Sequence, residues 1–82
     1  MSRRVGVEMP KLGYEMETGI VQAWRCRVGD RVEQDMPVVD IETEKATLDI
    51  VAPVSGTVVE IVHDSGAEVP VGATIGWIDA DE

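Results

Sequence analysis

Short apolar runs alternate along the whole chain with breaks marked by glycine and proline, from Pro10 and Gly13 through Gly29, Pro37, Pro53 and Gly56 to Gly66, Pro70, Gly72 and Gly76. The segments between these breaks are strand-sized, and none keeps a helical period. Strands are predicted at residues 5–8, 19–25, 38–43, 46–51, 56–63 and 74–79, with shorter ones at 31–32 and 68–69. Fourteen Val and six Ile stand against two Leu and no Phe. Such stiff, β-branched side chains suit a pleated surface better than a helix. The pattern predicts an all-β sandwich or barrel.

A shift of 37 residues lays the chain on itself. It places Thr18-Gly19-Ile20-Val21 on Ser55-Gly56-Thr57-Val58, Gly29 on Gly66, Val32 on Val69, Val38 on Ile75 and Ile41 on Ile78. Two units are too few to stack as a solenoid. The expectation is two similar halves about a pseudo-twofold axis, each covering an apolar face that the other leaves open.

The sharpest local feature lies between the halves. Residues 38–43 run into Glu44-Lys45 and then 46–51. With Glu44 and Lys45 as a two-residue turn, Thr43 faces Ala46, Ile41 faces Leu48 and Val39 faces Ile50. The other face then carries Glu42 with Thr47 and Asp40 with Asp49. This register separates a mostly apolar face from a polar one, which is what selects one pairing over its neighbours. Glu-Lys is not the Asn-Gly or Asp-Gly of a tight hairpin.

Eighty-two residues make one domain, with a core expected at about 5–79 and the start of a linker at 80–82. The net charge of −9 disfavours nucleic acid and an anionic membrane surface as partners, and suits a partner with a basic docking face. Cys26 is the one cysteine, which excludes an intramolecular disulfide and a thiolate metal cluster and points to a reducing compartment. Residues 1–10 carry Arg3 and Arg4 with no apolar run behind them, unlike a signal peptide.

Built-in catalysis has no candidates: one His, one Cys, and no nucleophile-elbow or zinc-protease motif. His63 falls on Cys26 in the repeat, which reads as equivalent packing positions. Asp40, Glu42, Glu44 and Asp49 read as a solvated acidic rim without the spacing of a calcium loop, so no metal site is expected. Lys45 is distinctive, one of only two lysines and set at a predicted hairpin tip. A tip turns its side chain away from the core, where an enzyme can grip the loop and acylate the amine.

Glu42-Thr43-Glu44-Lys45-Ala46 resembles the lipoyl-attachment motif of lipoyl domains in 2-oxo acid dehydrogenase complexes. Met9-Pro10-Lys11-Leu12-Gly13 is similar to the start of that domain in their dihydrolipoamide acyltransferase components. Gly29, Val32, Val38 and Ile41 before Lys45, and Ala46, Thr47, Ile50, Gly56 and Val58 after it, keep the family's spacing. The resemblance implies a flattened barrel of two four-stranded antiparallel sheets with pseudo-twofold symmetry, a barrel-sandwich hybrid. It implies lipoic acid in amide linkage to Lys45, forming a swinging arm that shuttles acyl groups and reducing equivalents. The implied partners are a thiamine-dependent 2-oxo acid dehydrogenase, the acyltransferase core, dihydrolipoyl dehydrogenase, and a lipoate ligase or lipoyl transferase. The domain itself is then a monomeric carrier and not an enzyme.

Within this resemblance, Glu42, Thr43, Glu44 and Ala46 around the lysine, with Tyr14, Glu15, Met16 and Glu17 in the loop at 12–18, are the expected recognition residues. The loop is expected to lie near the hairpin. Many relatives have Asp before the lysine, where this chain has Glu44. The pyruvate-type complex is the first expectation, with branched-chain and acetoin types as alternatives. A biotinyl carrier, whose lysine is bracketed by methionines, and an unmodified assembly module are the competing readings. The compartment expected is bacterial or archaeal cytoplasm, or the mitochondrial matrix in a eukaryote.

Overall fold

The computed structural model describes residues 3–11, 13–44 and 46–81. They form strands Arg3–Glu8 (β1), Thr18–Trp24 (β2), Arg31–Val32 (β3), Pro37–Glu42 (β4), Thr47–Val51 (β5), Gly56–Ile61 (β6), Glu68–Pro70 (β7) and Thr74–Ala80 (β8). Each predicted strand is present, with ends displaced by a residue or two. The strands make two four-stranded antiparallel sheets, in the orders β1-β8-β6-β3 and β5-β4-β2-β7.

Take β1–β4 as one half and β5–β8 as the other. The centre of each sheet is then a pair of strands from one half, and both its edges come from the other half. The halves therefore cover each other's apolar faces and also complete each other's hydrogen-bond ladders. The 37-residue shift carries β2, β3 and β4 onto β6, β7 and β8. Val21 pairs with Ile41 and Ala23 with Asp40, with a bulge between; Val58 pairs with Ile78 and Glu60 with Trp77, with the same bulge.

Two backbone hydrogen bonds express the symmetry most directly. Gly29 N–H donates to the Val58 carbonyl at 2.7 Å, and Gly66 N–H donates to the Val21 carbonyl at 2.7 Å. Both glycines have a left-handed backbone, with φ of 98° and 92°, a region that side chains with a Cβ enter at a cost. The pairs Val21 and Val58, Val32 and Val69, Val38 and Ile75, and Ile41 and Ile78 are all buried in one core.

β5 departs from the predicted pattern. Its partner β4 buries Val39 and Ile41, yet no residue of β5 is fully buried, and Leu48 and Val51 stay exposed. The register is as expected, but β5 is the last strand of its sheet, so its inward side chains sit at the rim. Cys26 is buried, and loss of solvent, with Asp30 adding to it, pushes its thiol up. The half-buried Trp24 indole donates to the His63 carbonyl at 2.8 Å. Among the described residues no buried side-chain polar atom lacks a partner.

β8 ends with Ala80 buried, and the next residue is held as well. Asp81 N–H donates to the Ser55 carbonyl at 2.9 Å, and its carboxylate accepts two hydrogen bonds from the Arg31 guanidinium. Those bonds hold the Asp81 carboxyl below its ordinary value. A lowered folded-state value stabilises the fold above the unfolded-state value, and the contribution is lost as pH falls through the folded one. Asp81→Asn is therefore expected to flatten the acid end of the stability-versus-pH curve, read by urea unfolding between about pH 5 and pH 2.

Gly56 supplies a sharper test of packing. A Cβ there would lie 2.1 Å from the Asp79 carbonyl oxygen, in the backbone of the paired strand β8. At the symmetry-related Gly19 the nearest atom is the side-chain sulfur of Met9, at 2.8 Å. Gly56→Ala is expected to cost about 3 kcal/mol or more and Gly19→Ala about 1 kcal/mol, measured by chemical denaturation.

Candidate functional site

The hairpin between β4 and β5 closes in an unusual way. Glu42 pairs with Thr47, and Thr43 N–H donates to the Ala46 carbonyl at 2.8 Å, so the chain reverses between Thr43 and Ala46. Lys45 itself lies outside the described residues, as do Leu12 in the loop and Glu82 at the expected linker. Glu44 has no positive φ, as a type I′ hairpin would require at that position. The Thr43 side chain compensates: the Ala46 N–H donates to Thr43 Oγ1 at 3.2 Å, and that hydroxyl lies 3.1 Å from the Ala46 carbonyl oxygen. A short polar side chain thus takes the place of a turn glycine. Glu44 and Ala46, on either side of Lys45, are both exposed.

The loop from Gly13 to Glu17 is fixed beside this hairpin. Met16 N–H donates to the Gly13 carbonyl at 3.2 Å, and the Glu17 carbonyl accepts from Val71 N–H at 2.9 Å. Thr18 Oγ1 donates to Glu68 at 2.9 Å. The space a side chain would take at Gly19 is filled by the sulfur of Met9 and the methyl of Met16, so Met16 anchors the loop from below. Tyr14 is 99% exposed.

Loop and hairpin line one open hollow. Tyr14, Glu15, Met16 and Glu17 border it from the loop, and Glu42, Thr43, Glu44 and Ala46 from the hairpin. All eight recognition candidates therefore meet at one place. Ile20, Leu48 and Glu68, which sequence reasoning did not single out, also line it. Five glutamates line this hollow, and none of its described lining residues is basic. It offers hydrogen-bond acceptors, exposed apolar surface and negative charge, a combination suited to a basic protein face. Among the described residues no group of carboxylates, His and Cys is arranged to hold a metal ion.

Sequence reasoning also missed Arg25. Its Nε donates to Asp40 at 2.8 Å, and its Nη2 reaches Asp49 at 3.4 Å. Asp40 and Asp49 are more than a solvated rim, because they share this cation, and the hydrogen bond from Arg25 holds the Asp40 carboxyl below its ordinary value. A signal was available: the predicted register set two aspartates directly opposite each other, an arrangement that calls for a neighbouring cation.

Thr43→Val keeps the shape of the side chain and removes its oxygen. It is expected to cost about 1 kcal/mol and to speed amide exchange at Thr47 and Leu48, with β6 and β8 unchanged, as read by NMR.

A family described as "Biotin-requiring enzyme", the biotin/lipoyl family, matches residues 5–78. The dihydrolipoyllysine-residue acetyltransferase component of the pyruvate dehydrogenase complex of Corynebacterium glutamicum is 44% identical over 72 residues, covering 88% of this chain. The corresponding component of the acetoin cleaving system of Bacillus subtilis is 44% identical over 79 residues, covering 95%. The chain spans 11% and 20% of the lengths of these two relatives.

The solution structure of the lipoyl domain of the 2-oxoglutarate dehydrogenase complex from Azotobacter vinelandii superposes with a TM-score of 0.75 at 28% identity, covering 94% of this chain and 96% of that one. Kluyveromyces lactis urea carboxylase gives 0.77 at 28% identity, over 93% of this chain and 6% of that one. The chain belongs to the biotin/lipoyl family and is a carrier domain of the kind found in the acyltransferase components of 2-oxo acid dehydrogenase complexes.

Proposed function

We propose that this chain is a lipoyl carrier, with lipoic acid in amide linkage to Lys45, serving an acyltransferase of a 2-oxo acid dehydrogenase complex. The observation that carries this reading is the hairpin closed by the Thr43 hydroxyl, with exposed Glu44 and Ala46 on either side of the lysine position. A covalent arm needs an attachment point that is open to solvent and held by a firm support. The sequence around Lys45 favours lipoate over biotin, because its neighbours are Glu44 and Ala46 in place of two methionines. When bound, the lipoyl group supplies a dithiolane that can be reduced and acylated at the end of a long arm.

The chain's own residues hold and identify that arm. Thr43 closes the turn, so reach comes from the arm and the tether while the support stays fixed. A tethered arm meets its partner sites at high effective concentration only if the linker can span them. Tyr14, Glu15, Met16 and Glu17, with Glu42, Glu44 and Ala46, give a dehydrogenase a surface that free lipoamide lacks. No residue of the chain acts as acid or base; the transferase activity belongs to the parent protein.

A pyruvate-type complex is the preferred partner, in keeping with the Corynebacterium glutamicum relative, and acetoin and branched-chain types are the alternatives. The 2-oxoglutarate type, which sequence reasoning did not weigh, joins them through the Azotobacter vinelandii neighbour. The acyltransferase core, dihydrolipoyl dehydrogenase and a lipoate ligase or lipoyl transferase complete the set of partners, in bacterial or archaeal cytoplasm.

Intact mass before and after treatment with lipoate ligase, ATP and lipoate tests the carrier reading. One lipoyl-sized increase, absent in Lys45→Ala, is expected; no increase in the folded wild type contradicts it. For the loop, Tyr14→Ala is expected to lower kcat/KM for reductive acylation by the cognate dehydrogenase about tenfold while leaving lipoylation unchanged. An unchanged acylation rate removes the loop from recognition.

A further inference from the structure

We infer that Arg25 is a positioning residue for the attachment hairpin, holding β5 in register on β4 by bridging Asp40 and Asp49. The inference rests on the carrier reading for its functional consequence and on the geometry alone for its physical part.

Asp40 and Asp49 are directly paired across the β4–β5 ladder. Their chain neighbours Val39 and Ile41 point into the core, so both carboxylates lie on the outer face. Like charges directly opposite each other on adjacent strands repel and weaken the pairing. Arg25 removes the conflict, with Nε at 2.8 Å from Asp40 and Nη2 at 3.4 Å from Asp49. Its backbone is held in place, because Arg25 N–H donates to the Val38 carbonyl at 2.7 Å. The third member of the same cross-strand row is Ala23, which brings no charge. Arg31 and Arg4 are engaged elsewhere, with Asp81 and Glu60.

An exposed ion pair ordinarily contributes little. This one differs in what its loss leaves behind. β5 is an edge strand with no fully buried residue; Ile50 packs partly buried against the core, so burial holds this strand less firmly than the central ones. Two facing carboxylates in the middle of the ladder, left without a cation, would repel and loosen its pairing with β4. The chain enters β5 directly after the reversal between Thr43 and Ala46, so the register of β5 sets how that turn is presented to a ligase or a dehydrogenase.

The test is a double-mutant cycle on Arg25→Gln and Asp49→Asn in the whole chain, with two readouts. Amide exchange by NMR reports β5, and initial rates with lipoate ligase report presentation. Arg25→Gln is expected to speed exchange of the β5 amides bonded to β4 about threefold and to slow lipoylation by a similar factor. Adding Asp49→Asn, which removes one of the facing charges, is expected to restore both, with β6 and β8 amides unchanged throughout. Unchanged β5 exchange in Arg25→Gln overturns the inference, even if lipoylation slows, because Arg25 would then be a ligase contact. A double variant no better than Arg25→Gln alone also overturns it. If wild type itself takes no lipoyl group, the carrier reading fails and the exchange data still decide the register role.

Discussion

The reciprocal bonds from Gly29 to Val58 and from Gly66 to Val21 tie each half of the chain to a central strand of the other. Because both edges of each sheet are also donated by the opposite half, neither half has a complete ladder of its own. A small domain with a thin stability margin gains cooperativity from this arrangement, since no sheet can open without disturbing both halves. The left-handed glycines are the local condition for it: each turns the chain at the point where its N–H must meet the partner strand.

The same symmetry explains where the functional turn sits. In one half, β4 continues through Glu44 and Lys45 into β5. In the other, the equivalent strand β8 ends at Ala80, which pairs with Arg3 at the start of β1. The two strand pairs are related by the pseudo-twofold, but only β4 and β5 are consecutive strands joined by a turn. The β4–β5 hairpin and the Arg3–Ala80 pair thus occupy equivalent corners of one frame. The hollow beside the hairpin sets exposed Tyr14 and five glutamates next to that turn.

Much of this was legible in the sequence because symmetry and alternation leave periodic traces. The 37-residue repeat gave the twofold, and the face alternation from Val38 to Val51 gave the hairpin register down to the pairing of Thr43 with Ala46. The exposure of Leu48 was not legible, because alternation says which face a residue occupies and not that its strand lies at a sheet edge. The turn chemistry of Thr43 and the bridge from Arg25 were missed because both depend on side chains meeting across elements. The exchange of edge strands lay beyond a repeat, which gives equivalence without saying which half supplies which edge.

The central claim is that this hairpin presents Lys45 for lipoate. The most direct measurement is site-resolved mass spectrometry of the folded chain after incubation with lipoate ligase and biotin ligase together, with both acids and ATP present. The chain has two lysines, so the peptides report site and cofactor at once. The claim predicts lipoyl on Lys45, with Lys11 unmodified and no biotin at either site. Biotin on Lys45, or lipoyl on Lys11 in place of Lys45, would contradict it.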